Sequence, residues 1–371
     1  MKFSVSSSEL LKQIQIADGV IASKTPLPIL EGLLFTLKQN KLTITASDLE
    51  TTLVTELEVM SDADGAIVIP SKILLDTLKA LPQQPITFSI DQDNHSVEIT
   101  SAYGKYRLSG INANEYPIPP EPDSVDNVTI PAPVLSRAIS RTLFATSNDE
   151  LRPAMTGVYV NIDFQKVVFV ATDAHKLVRY SSEIAGEVST SFIVPKKALT
   201  LLKNSLPNGG EVQVSFNKSN AFFSFDAVSL ACRLVDARYP DYNAVIPTEN
   251  PNLLTANRAD LLSSLKRIAI YANKSSNQVV LSIGDKSLTV SAQDLDFSNE
   301  AIEQLACQYE GEALTIGFNA KFLIEMLTVL ETDEIKLELS APNRAGILRP
   351  VDDGTSTEDI LMLVMPVMLS N

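Results

Sequence analysis

The sequence has no tryptophan and, in 371 residues, only two cysteines (Cys232 and Cys307) and two histidines (His95 and His175). Aromatic residues make up 6%, which leaves little material for a sugar-stacking surface. Two cysteines cannot build a disulfide framework or a four-cysteine zinc site; they read as small buried side chains in a reducing compartment. The two histidines have neither HExxH nor CxxC context, so no metal centre and no cofactor are expected. There is no GxxxxGK[ST] phosphate loop, no GxGxxG after a strand and no GxSxG elbow. Gly209-Gly210 reads instead as a hairpin turn. No apolar run approaches the roughly 18 residues of a membrane span, and the opening Met-Lys-Phe-Ser-Val lacks a signal-peptide core. The expectation is a cytoplasmic chain with no membrane partner. Positive charge is short too: 30 Lys plus Arg stand against 45 Asp plus Glu, a net of −15. Taken alone, that total argues against a nucleic-acid partner.

What the chain does contain is repetition, which decides the fold class of any sequence that carries it. Three segments share one order of elements: a short strand, a helix, a hairpin, and a third strand announced by Ala-x-Asp. The helices are expected at 7–20, 134–144 and 258–271. The marks end in Asp48, Asp173 and Asp294, spaced 125 and 121 residues apart. Between them runs a second set of the same order, with helices expected at 71–81, 196–206 and 319–330. The breaks Leu81-Pro82 and Leu206-Pro207 are again 125 apart. Helical and alternating apolar periods carry these assignments.

The chain therefore reads as six strand–helix–three-strand units of about 62 residues, paired into three α+β domains. Proline clusters at 116–122 and 240–251 mark the linkers, so the expected domains are 1–120, 121–247 and 248–371.

No catalytic constellation can be assembled. Asp48, Asp173 and Asp294 recur once per domain, and each reads as a strand-end Asx turn; single carboxylates that far apart in sequence are poor material for an acid–base pair. An enzyme built around Asp173 and His175, or a repeat scaffold that binds peptides but no DNA, stay open as alternatives. Charge placement favours another reading. The six expected helices carry twelve Lys and Arg but only five Asp and Glu, while the rest of the chain carries 18 against 40. Glutamate is a good helix former, so helix propensity alone does not explain the sorting. A helix-lined surface facing a polyanion does, through nonspecific phosphate contacts.

At this point the residues resemble a known family. Leu27-Pro28-Ile29-Leu30, Ser47-Asp48-Leu49-Glu50, Ala171-Thr172-Asp173-Ala174-His175-Lys176-Leu177, Val194-Pro195-Lys196-Lys197, Tyr239-Pro240-Asp241-Tyr242, Ile316-Gly317-Phe318-Asn319 and Val364-Met365-Pro366-Val367 are similar, in order and along the whole chain, to the bacterial β sliding clamps of DNA polymerase III. The resemblance implies a head-to-tail homodimeric ring around double-stranded DNA, with helices lining the hole and sheets outside. It implies Tyr106 and Leu108 on one side of the dimer interface and Ile270 and Tyr271 on the other. It also implies a groove for linear motifs of the polymerase catalytic subunit, the clamp loader and other clamp-motif proteins. The matching groove positions are Met155, Thr172, His175, Leu177, Pro240, Val245, Asn319, Phe322, Val364, Met365, Pro366 and Val367. Candidate DNA contacts are Lys24, Lys72, Lys79, Arg137, Arg141, Arg152, Lys196, Lys197, Lys203 and Lys266. The chain departs from the family pattern at Ala174, Lys176, Ala244 and Ser276, which bears on the peptide preferred.

Overall fold

A computed structural model describes residues 1–22, 25, 27–123, 125–184, 188–284, 286–351 and 357–369. Among them are six α-helices: α1 (Ser7–Asp18), α2 (Ser71–Ala80), α3 (Ala132–Thr142), α4 (Lys196–Ser205), α5 (Arg258–Ile268) and α6 (Ala320–Val329). Each follows directly on a strand and precedes three antiparallel strands, as the repeat requires. Pro70, Pro131 and Pro195 end the strands before α2, α3 and α4, positions where a missing N–H costs little because helix starts have no intrahelical acceptor. Asn257 and Asn319 cap α5 and α6, each accepting from a backbone N–H of the first turn at 3.0 Å. The buried stripe of α1 is Leu10, Ile14 and Ala17, and that of α6 is Leu323, Met326 and Leu327, the three-to-four spacing of a helix with one covered face. Leu81-Pro82 and Leu206-Pro207 stop α2 and α4 as expected.

Two expected helices end differently from the sequence reading. α3 and α5 tighten into 3₁₀ turns, Leu143–Ala145 and Ala269–Tyr271, a common way to satisfy last-turn carbonyls. Three short strands fall outside the repeat pattern: Met60–Ala63 beside Lys2–Ser6, Gln308–Glu310 beside Asn252–Asn257, and Pro366–Val367 beside Leu314–Asn319.

The residues form two compact units, Met1–Pro133 with Lys197–Leu234, and Val134–Lys196 with Val235–Asn371. Their boundaries cut through the middle repeat, because backbone hydrogen bonds continue the sheets from one repeat into the next. In the first unit, Val228–Arg233 pairs antiparallel with Thr51–Glu58, with Val228 opposite Thr55 and Cys232 opposite Thr51. The result is an eight-stranded sheet. In the second, Lys176–Glu183 pairs with Glu358–Val364, from Lys176 opposite Val364 to Ser182 opposite Glu358, giving a nine-stranded sheet. Each unit also holds a five-stranded sheet, one ending at Lys105–Ser109 and the other at Asn299–Ala306.

The core of the first unit is built on stacked aromatics. Phe88 lies 4.8 Å from Phe3, stacked with nearly parallel planes, and 6.3 Å from Phe35, and all three are buried. In Phe88→Ala the lost transfer energy and the cavity together should cost about 3–5 kcal/mol. The first unfolding transition in urea should move to lower denaturant, and an unchanged transition would show that this stack is not structural.

Candidate functional site

The seam of the nine-stranded sheet organises the site. At one end of this strand pair the chain turns through Asp173 and Ala174. Asp173 Oδ1 accepts from the backbone N–H groups of His175 and Lys176, both at 2.9 Å, and Ala174 sits at φ +76°, a left-handed position that the Asx hydrogen bonds hold in place. Thr172 is buried beneath, donating to Lys176 O at 2.8 Å. Across the seam, Met365 N–H donates to His175 O at 2.9 Å. The His175 ring lies 6.2 Å from that of Phe322 on α6, at 20° between planes. The linker is fastened to the same sheet. Tyr239 donates to Val170 O at 3.2 Å and stacks on Tyr159 at 4.8 Å. Tyr239, Tyr242 and Ile246 cover a cluster that includes Val170, Leu177, Ile347 and Leu363.

Most of the expected groove residues thus gather around one seam in one compact unit. Thr172, Leu177 and Val364 are its buried floor. His175, Pro240, Val245 and Met365 are exposed, with Val245 at 56% and Met365 at 41%. Phe322, Pro366 and Val367 are half-buried, and Asn319 caps α6. Met155, also half-buried, lies in the 3₁₀ turn Pro153–Thr156 and accepts from Ser147 N–H at 2.8 Å.

Sequence reasoning missed the ionic core of this site. The Lys176 ammonium is almost fully buried. It meets Asp173 Oδ2 at 2.9 Å and Glu325 Oε2 at 3.1 Å, and stands 4.4 Å from the Phe322 ring centroid. The Asp173–Lys176 spacing was a legible signal; Glu325, on a distant helix, was not. The Asp173 oxygens are committed to this turn and this ammonium, and this is an unpromising arrangement for a general base.

The first repeat uses the same turn and the third a longer one. Asp48 Oδ1 accepts from Glu50 and Thr51 N–H, Leu49 sits at φ +78°, and Arg233 N–H donates to Glu50 O at 2.8 Å. Asp294 Oδ1 accepts from Asp296 N–H at 3.2 Å. The recurring aspartates are turn caps, as the sequence suggested. At the Asp48 seam Lys197 enters instead of an aromatic ring: its ammonium donates to Val20 O at 2.7 Å and pairs with Asp48.

The structure separates the ten candidate DNA-binding cations into distinct environments. Lys24 lies outside the described residues. Lys72 and Lys79 on α2, Lys203 on α4 and Lys266 on α5 are exposed. Arg152 pairs with Asp149 at 2.9 Å, Lys196 donates to Asn148 Oδ1 at 3.1 Å, and Lys197 is held as above. Arg137 and Arg141 both grip Glu358, with Arg137 Nε donating at 2.8 Å and Arg141 Nη1 at 3.0 Å, and the Arg141 guanidinium lies over the Tyr180 ring. Burial raises the Glu358 carboxyl, but the two guanidinium partners outweigh it and hold the group below its ordinary 4.5.

The four dimer candidates also lie on accessible features. Tyr106 and Leu108 are half-buried on the edge strand Lys105–Ser109, and Tyr106 borders a cleft of about 610 Å³ with Ile73 and Leu81. Ile270 and Tyr271, 66% and 43% exposed, project from the turn after α5. Among the described residues no helix is long and apolar enough to cross a membrane, and no His, Cys, Asp and Glu group is placed to hold a metal.

Two outcomes follow for the Glu358 cluster. A depressed carboxylate contributes stability that is complete above its unfolded pKa and is lost as pH falls through its folded one. The difference in urea midpoint between the wild type and Glu358→Gln should therefore be largest near neutral pH and shrink as pH drops below about 4.5; a pH-independent difference would refute this. In addition, Arg137→Gln should lower stability more than it changes the salt dependence of DNA retention, whereas Lys79→Gln should do the reverse.

Comparisons with known proteins agree along the whole chain. Residues 1–120, 129–241 and 243–366 match the N-terminal, central and C-terminal domain models of the DNA polymerase III beta subunit. The beta sliding clamp of Staphylococcus epidermidis is 28% identical over 97% of this chain and 98% of its own, and that of Vibrio cholerae 27% over the full length of both. Among solved structures, the Pseudomonas aeruginosa sliding clamp bound to griselimycin superposes with a TM-score of 0.93 at 28% identity, and the Bacillus subtilis clamp with 0.94 at 26%, each over the full length of both chains. With its six repeated units, its turn-capping aspartates and three consecutive family domains, the chain belongs to the bacterial DNA polymerase III beta subunit family of sliding clamps.

Proposed function

We propose that two copies of this chain close head to tail into a ring around double-stranded DNA. The ring slides without sequence specificity and holds the replicative polymerase on its template. It is an accessory factor of the cytoplasm with no chemistry of its own. The domains of this reading are 1–120, 121–247 and 248–371, supported by the spans of the three family models.

The observation that carries ring closure is the strand order. Of the six third strands, four pair with each other at the two seams inside the chain. The remaining two, Lys105–Ser109 and Asn299–Ala306, end their sheets. A second copy supplies the missing pairing at each, and a heterologous contact that closes after two copies makes a ring. Apolar side chains accompany both edges: Tyr106, Leu108 and Ile73 near one, Ile270, Tyr271 and Ile302 near the other. The exposed helix cations Lys72, Lys79, Lys203 and Lys266 suit loose phosphate contacts inside the ring, and the acidic remainder repels DNA that is not threaded. The seam at His175, Phe322 and Met365 is the docking groove for linear motifs of the polymerase, the loader and other partners; its methionine and aliphatic lining tolerates varied peptides.

Light scattering should give about twice the 40.3 kDa chain mass, falling to one copy in Tyr106→Asp/Leu108→Asp. Protein loaded on nicked circular DNA should be retained and then lost on linearisation. Equal retention on both forms, or a stable wild-type monomer at micromolar concentration, would overturn the ring. Met365→Asp should weaken peptide binding about tenfold or more by placing a charge in an apolar lining, with the dimer mass unchanged.

A further inference from the structure

The docking groove carries one negative charge more than its buried cation can cancel. Lys176, its side chain 6% exposed, is shared between Asp173 and Glu325. At the corresponding seam Lys197 meets a single carboxylate, Asp48, and completes its contacts with the carbonyl of Val20. Two carboxylates on one ammonium leave an excess, and the exposures say where it lies. The Asp173 side chain is 17% exposed, and its oxygens receive two backbone N–H groups and the ammonium. Glu325 is 44% exposed and only its Oε2 reaches Lys176. It stands three residues after Phe322 on α6, on the same helix face as the ring that stacks with His175. Among the described residues its ion pair is with Lys176. Lys321, one turn earlier, forms no ion pair with it among the described residues. The linker at 241–246 adds Asp241 and no cation.

We propose that Glu325 is a specificity-determining residue of the groove, selecting partner peptides that place a lysine or arginine beside the apolar anchor reaching Phe322 and disfavouring peptides that place an acid there. This rests on the reading of the seam as a peptide groove. The ammonium of Lys176 is itself too buried to attract an acidic partner, so its cationic charge fixes the groove wall while the surplus carboxylate faces outward. An exposed charge pair is worth little in stability, yet between peptides that share the same anchors it decides preference.

The test uses the full-length protein and fluorescein-labelled heptapeptides with two leucines and one phenylalanine, with Lys, Gln or Glu placed in turn at each remaining position. At the position passing α6, the Lys peptide should bind wild type about fivefold more tightly than the Glu peptide at low salt. The ratio should shrink at about 0.5 M salt. Glu325→Gln should abolish the ratio, and Glu325→Asp should retain it. A Lys-to-Glu ratio that is the same in wild type and Glu325→Gln at every position overturns the assignment and leaves the groove standing. Peptide binding that Met365→Asp does not weaken overturns the groove and the assignment together.

Discussion

Antiparallel backbone pairing between third strands is the constraint on which the molecule depends. It joins Thr51–Glu58 to Val228–Arg233 and Lys176–Glu183 to Glu358–Val364. Paired backbone groups inside a sheet have no cheaper alternative once buried, so a repeat boundary that would otherwise be a flexible linker becomes part of a continuous sheet. The compact units follow the sheets rather than the repeats for this reason. The same pairing fixes the site. It sets Lys176 opposite Val364 and brings Met365 N–H onto His175 O, so that a turn from one repeat and the tail of another meet at one seam.

Electrostatics then distinguishes seams that share a backbone plan. The turn at Asp48 and the turn at Asp173 have matching left-handed residues and matching cross-seam hydrogen bonds. What differs is the cargo: an ammonium on a carbonyl and one carboxylate at the first, and an aromatic ring over an over-subscribed ammonium at the second. The first fills its space with a polar contact of its own. The second presents ring, methionine and valine surface. Repetition thus supplies equivalent places, and a few side chains decide how much apolar surface each presents.

Much of this was legible in the sequence because it is periodic. The six helices, their strand neighbours and the turn-capping role of the three aspartates follow from spacing and from residue types with fixed backbone habits. The 3₁₀ ends of α3 and α5 and the three extra short strands did not follow, since each depends on what a neighbouring strand leaves unpaired. The cations show the limit more sharply. Arg137 and Lys79 are indistinguishable as helix residues, yet one is held by Glu358, more than 200 positions away in sequence, while the other is exposed. Long-range pairing of this kind has no local signal. The same holds for Glu325, whose partner is on another element.

The two third strands without a seam partner have a further consequence. They belong to different repeats of one chain, and in the head-to-tail pairing proposed above each meets the other. In a two-copy ring there are then two identical junctions. Breaking one leaves the copies tethered through its twin, and the loose ends face each other at an effective concentration set by the span of the chain rather than by bulk dilution. Opening and complete dissociation become separate events with separate rates. A ring of this construction can part at a single junction to admit a strand and reclose in a step independent of protein concentration.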